Sequence, residues 1–192
     1  SAPKQQLFVK CLKLPSFAAN SLENLRSAFR QASPISAQQA WRKKLQPIFF
    51  PMSVRIGWRD NTLLLFFAEL TDTDIFTHAT ADDQRLWELG DVFEIFLRRT
   101  IQESYVELQV APNNKRLQLR YPNAESVAQA RKSGTADQFV IHEKAFISST
   151  WVCARDQKWF VYAKIPARTV CGKAELSPGV QEFCGLLPGS EQ

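Results

Sequence analysis

Four side chains carry the chemistry of this sequence: Glu94 in the run Asp91 to Arg98, and Tyr105, Glu107 and Gln109 in the run Glu103 to Ala111. The last three are two residues apart, so on an extended strand they project from one face, opposite Ser104, Val106, Leu108 and Val110. Glu94 falls with Val92, Phe96 and Arg98, opposite Phe93, Ile95 and Leu97. Carboxylates accept hydrogen bonds, an amide accepts and donates, and a phenol does both, which is the mixture needed to hold a polyhydroxylated ligand. Trp87 stands just upstream, where an indole could stack on the apolar face of such a ligand. In a third run Leu117, Leu119 and Tyr121 alternate with Arg116, Gln118 and Arg120. This pattern predicts the leucines in the core and adds Arg116 and Arg120 as further contacts.

Catalytic readings find less support. Glu94 and Glu107 could be imagined as a glycosidase acid and base, but nothing in the sequence fixes their separation at the roughly 5 to 9.5 Å that such chemistry needs. There is no nucleophile elbow, phosphate loop or histidine pair at metal-ligand spacing, and His78 and His142 are far apart. The expectation is a protein that binds and does not catalyse. Asp72 and Asp74, with Asp82 and Asp83 nearby, could offer oxygens to calcium, though no glycine-containing calcium loop accompanies them and exposed loop aspartates are the simpler reading.

The elements that would position these residues are mostly short strands. Met52 to Trp58 alternates Val54, Ile56 and Trp58 with Ser53, Arg55 and Gly57, and Arg59-Asp60-Asn61 turns into Leu63 to Leu70, apolar on both faces and therefore central. Gln138 to Ile147, Ser149 to Ala154 and Gln157 to Ile165 are further strand candidates, the last ended by Pro166, while Pro122 to Asp137 reads as a long loop or poor helix. Before Pro51 the pattern changes. Leu7 to Val9 reads as a strand, and Asn20 to Gln31 and Ser36 to Leu45 read as helices. Leu22, Leu25 and Phe29 share a helical face in the first, and Ser36 caps the second. Eight or more strands without a βαβ rhythm predict an all-β antiparallel sandwich, jelly-roll or immunoglobulin-like, over residues 51–192, with a partly helical N-terminal extension over residues 1–50 packed on it, one domain overall. Trp58, Trp151 and Trp159 are assigned to core packing and Trp41 to the extension.

Bulk properties narrow the setting. In 192 residues, 45% hydrophobic and 22% charged content is that of a globular chain. The net charge of +5 is scattered, with only short clusters such as Arg42-Lys43-Lys44, which argues against nucleic acid as a partner. No apolar run approaches the ~20 residues of a membrane span. Cys11, Cys153, Cys171 and Cys184 lack zinc or redox spacing and read as small buried hydrophobes. A disulfide joining Cys171 to Cys184, or Cys11 to either, would suit an exported protein. A start at Ser1 agrees with removal of a signal peptide and equally with a start chosen for expression.

The segment Arg85-Leu86-Trp87-Glu88-Leu89-Gly90-Asp91-Val92-Phe93-Glu94-Ile95-Phe96-Leu97 resembles the signature of family 9 carbohydrate-binding modules, in which a tryptophan precedes an Asp-x-x-Glu strand. Arg55 to Leu63, Tyr105 to Asn114 and Trp159 to Pro166 resemble further family segments in the expected order, so the likeness spans roughly Trp41 to Pro166. It implies a sugar-binding β-sandwich attached to or working with a glycoside hydrolase, secreted or periplasmic. Trp87 would be the stacking residue and Glu94 the acceptor of sugar hydroxyls. Gln109 stands where the family has an arginine, and no second stacking tryptophan follows Cys171. Two other readings share this fold. Haem-binding redox domains are similar to it, and Met52 with His142 would then be axial ligands of an electron-transfer module. The other is a structural interaction domain that has lost sugar binding. Otherwise no cofactor is expected beyond the calcium alternative at Asp72 and Asp74, and the partner is a mono- or oligosaccharide.

Overall fold

Strand-forming residues from two distant parts of the chain meet across one apolar core in the computed structural model, which describes residues 11–36, 50–99 and 101–172. The first sheet begins with the short strands β1 (Leu12–Lys13) and β2 (Ile35–Ser36), which flank α1 (Leu22–Ala28) in the chain. It continues with β3 (Met52–Arg59) and β4 (Leu63–Thr71). The second sheet is a meander of β5 (Phe93–Arg98), β6 (Tyr105–Val110) and β7 (Arg116–Tyr121). After it come α2 (Ala124–Ser133), β8 (Ile147–Cys153), β9 (Lys158–Pro166) and α3 (Ala167–Cys171).

The large sheet has the order β1-β3-β4-β9-β8, with β2 also on β3, and the small sheet the order β5-β6-β7. Alternation decides what meets between them. Val54 and Ile56 of β3, Leu64, Phe66 and Ala68 of β4, and Trp159, Val161, Ala163 and Ile165 of β9 pack against Phe93, Ile95, Leu97, Val106, Leu108 and Val110 of the small sheet. The two layers thus share a core in the manner of a sandwich. β4 is central as expected, lying between β3 and β9, with Asp60 and Asn61 both at positive φ in the turn that leads into it. Its outward residues Leu65 and Phe67, with Phe160 and Tyr162 of β9, are covered by Leu14, Leu25, Phe29 and Ala32. Ser21 caps α1 by accepting the Asn24 N–H, and Leu22, Leu25 and Phe29 form its packed face. Gly57 of β3 is where this cover comes closest: a Cβ there would stand 2.5 Å from Leu14 Cδ1.

Several expectations are corrected. The sheets are not wholly antiparallel, since β1 runs parallel to β3. Residues 122–137 hold a true helix, α2, capped at its start by the Asn123 side chain and at its end by Gly134 in the left-handed region. Residues 138–146 hold no strand, because a 3₁₀ turn at Ala136–Phe139 leads into a loop whose β contact is the single bridge Leu119 to Val140, and only Ile147, at the start of β8, is extended as expected. Ser36 itself lies in β2. The strand at Leu7 to Val9, the rest of the Ser36 to Leu45 helix, Trp41 and Cys184 lie outside the described residues. Trp159 is fully buried and Trp58 and Trp151 are half-buried against the two faces of the large sheet. Cys11, Cys153 and Cys171 are half-buried free thiols; Cys11 and Cys171 pack on the inner core, and burial pushes Cys11 up to about 11.

Candidate functional site on the outer face of the small sheet

Register brings the chemically active residues together on the outer face of the meander. Glu94 pairs with Gln109, Phe96 with Glu107 and Arg98 with Tyr105. On the other side of β6, Tyr105 pairs with Tyr121, Glu107 with Leu119 and Gln109 with Leu117. Leu117, Leu119 and Tyr121 therefore share the face of Glu94, Glu107 and Gln109, which reverses the expected orientation of β7. Arg116, Gln118 and Arg120 take the opposite face. There Gln118 donates to the Ile141 and Glu143 carbonyls and accepts the Ala145 N–H, and Arg120 donates to the Thr169 carbonyl at the end of the sandwich. Arg116 is held by Asp82, 3.1 Å away. Arg116 and Arg120 thus lie on the face opposite Glu94, Glu107 and Gln109, apart from the candidate site.

The outer face is also far from being a solvated polar surface. Two segments remote in sequence lie over it: residues 73–92, which carry Trp87 on the short 3₁₀ turn Leu86–Glu88, and the α2 region. Leu86, Ala79, Val127 and Ala130 seal against Leu117, Leu119 and Tyr121, with Trp87, Leu89, Val92, Tyr105 and Phe139 packed around them. The ends of the first segment are joined, as Thr77 bridges Gly90 and the His78 N–H donates to the Leu89 carbonyl at 2.7 Å. Gly90 adopts φ 139°, and a Cβ there would meet the Phe76 carbonyl oxygen at 2.6 Å. Arg85 ties the two segments to each other, forking onto Asp137 at 2.8 and 3.0 Å and reaching the Gly134 carbonyl.

Beneath this cover Glu94 is 9% exposed, Glu107 4% and Gln109 0%. The Gln109 amide Nε2 donates to Glu94 Oε1 at 2.8 Å and to Glu107 Oε1 at 2.5 Å, so one amide spans two carboxyl groups. Both of its N–H donors are used, and Gln109 Oε1 is buried without a partner among the described residues. Burial first, and Glu107 second, push Glu94 up to about 8, with Arg131 of α2 opposing. Burial likewise raises Glu107, against its bond from Gln109 and the charge of Arg131. Tyr105 and Tyr121, whose rings lie 5.5 Å apart, are raised by burial and by Glu107. Buried acids displaced from their ordinary range, around an unpaired acceptor, make this cluster the candidate site.

Trp87, Glu94, Tyr105, Glu107 and Gln109 therefore lie on or over one face, and the five are brought together as a layer of sheet and cover. Tyr121 and Arg131 join them and were missed. Tyr121 was misassigned with its strand; Arg131 is legible only once Asn123 and Gly134 are recognised as helix caps. The remaining candidates are elsewhere. Asp74 donates its backbone N–H to Asp72 Oδ1 at 3.1 Å in a local turn, close to Asp91, whose carboxyl is raised by burial and by both aspartates. Among the described residues no three His, Cys, Asp or Glu side chains converge as a metal-binding group. Met52 packs on the inner core at the start of β3, while His142 is exposed in a loop, 3.7 Å from Asp83. Among the described residues no helix is long and apolar enough to cross a membrane.

No family model matches the chain, and no curated protein matches it. Among solved structures, a crystal structure from Bacteroides uniformis ATCC 8492, described as a "putative carbohydrate-binding protein", is similar over 89% of this chain and 78% of its own, with a TM-score of 0.62 and 13% identity. At that identity the likeness establishes a shared fold, one that a protein described in those words also has.

Proposed function

We propose that this protein is a non-catalytic carbohydrate-binding domain, similar in kind to family 9 modules, whose site is the outer face of the small sheet. The observation that carries the reading is the Glu94–Gln109–Glu107 network with its unpaired Gln109 Oε1, beneath a cover that bears Trp87. A sugar ring offers hydroxyl donors to such acceptors and an apolar C–H face to an indole. Trp87 is the stacking platform, and Glu94, Tyr105, Glu107 and Gln109 are the polar contacts. The reading carries with it a secreted or periplasmic setting and work beside a glycoside hydrolase. The jelly-roll or immunoglobulin-like connectivity of such modules belongs to the same proposal.

Tryptophan fluorescence and calorimetry against glucose, cellobiose and xylobiose test it. Saturable binding that Trp87→Ala abolishes while the domain stays folded is the expected result. Unchanged binding in that variant, or its unfolding, overturns the role of Trp87. A second reading, an interaction domain that no longer binds sugar, is favoured by the complete enclosure of Gln109. A folded protein that binds none of these sugars decides for it.

A further inference from the structure

The contacts that the buried network leaves open are unequal in kind. Both N–H donors of Gln109 are consumed within the network, and once Glu94 has given up its proton what remains is acceptors: the second oxygens of Glu94 and Glu107, and Gln109 Oε1. These acceptors are gathered around one amide, and Glu94 keeps the most open surface of the three residues. The groups that face them are the phenols of Tyr105 and Tyr121 on the sheet and the exposed cation Arg131 on α2. From the covering segment, Arg85 is turned to Asp137 and Glu88.

A neutral hydroxyl brings one donor to this cluster and leaves two carboxyl groups facing one another. An ammonium brings three donors and a positive charge, so it can satisfy an orphaned acceptor and relieve the repulsion together. Aromatic rings alongside add attraction for a cation. We propose that the site selects its carbohydrate through a protonated primary amine, so that its ligand class is the unacetylated amino sugars; this rests on the sugar-binding reading above. Seating the amine requires both carboxyl groups ionised. Since the protein alone holds a proton on Glu94 up to about pH 8, binding expels that proton to solvent.

The probes are glucosamine, N-acetylglucosamine and glucose, which share a ring and differ at one substituent, titrated calorimetrically into the full chain. At pH 6.5 glucosamine is expected to bind about tenfold tighter than either neutral sugar, the worth of exchanging a neutral hydrogen bond for a charge-assisted one. Its affinity is expected to rise about tenfold between pH 5.5 and 6.5, as one proton is released, while glucose shows no such slope. Glu94→Gln, which keeps the shape and the Gln109 contact, is expected to remove both the preference and the slope, with its urea midpoint reporting that it is folded. Equal binding of glucose and glucosamine at pH 6.5, or a pH-independent glucosamine affinity, overturns the amine selection and leaves sugar binding standing. Failure of the folded protein to bind any of the three overturns both.

Discussion

Replacing Glu94 by glutamine should stabilise this protein, and increasingly so as pH rises. A carboxyl whose folded-state value lies above its unfolded one holds its proton more tightly when folded, so its contribution is fully present below 4.5 and is lost as pH climbs toward about 8. Each pH unit across that interval costs ~1.4 kcal/mol, which reaches roughly 3 kcal/mol at pH 7 and levels off past pH 8. Glu107 is raised by the same burial and adds to the slope in the same direction. Glutamine at position 94 retains an acceptor for Gln109 Nε2 at 2.8 Å and has no charge to desolvate. Urea titrations at pH 5, 7 and 8.5 would therefore show the two proteins close together at pH 5 and the variant ahead by about 3 kcal/mol at pH 7, with unchanged m-values. For a chain of this size the same difference raises the melting temperature by roughly 6 to 12 °C. A wild-type midpoint that is flat from pH 5 to 8.5, or a variant less stable than wild type at pH 8.5, would refute the burial argument on which the site rests.

Two further outcomes check the layers around that site. Leu25→Ala empties a fully buried position under α1 and should cost about 2 to 5 kcal/mol, read by urea denaturation; a cost below 1 kcal/mol would mean that residues 11–36 do not cover the large sheet as described. Gly90→Ala places a Cβ 2.6 Å from the Phe76 carbonyl oxygen at φ 139° and should cost on the order of 1 to 3 kcal/mol, with hydrogen exchange quickened at His78 and Asp91, whose N–H groups close the base of that loop. A neutral substitution there would show that the Thr77–Gly90 closure is dispensable.

What the sequence revealed of this fold follows from where each strand lies. The β3–β4 hairpin was legible because Val54, Ile56 and Trp58 alternate cleanly and Asp60-Asn61 accept positive φ, and β4 because it is apolar on both faces and covered on both. The strand of Tyr105, Glu107 and Gln109 was placed correctly, and its register with Glu94 follows. Alternation failed on β7, where both faces are covered: leucines lie under α2, while the inward Gln118 is satisfied by loop backbone that the pattern of its own strand cannot report. The burial of Glu94, Glu107 and Gln109 was illegible for the same reason. Polarity indicates a solvated face only when nothing else lies over it, and here the cover comes from residues 73–92 and from an alanine- and serine-rich helix whose caps, Asn123 and Gly134, were its sole clear signal.

The division of the small sheet's cover into two remote segments, fastened by Arg85 to Asp137, bears on how the domain breathes. The three strands can keep every ladder bond and their whole inner core while the cover lifts, so opening the outer face need not disturb the sandwich. Lifting it also returns water to two acids and an amide oxygen, which offsets part of the apolar surface exposed; a purely greasy interface would receive no such return. The cover is thereby cheaper to open than its apolar contacts alone would make it, and it grows cheaper in alkaline solution, where hydration lets Glu94 shed its proton. A chain that hides its polar groups under a strap of this kind keeps them enclosed without having to hold the strap rigid.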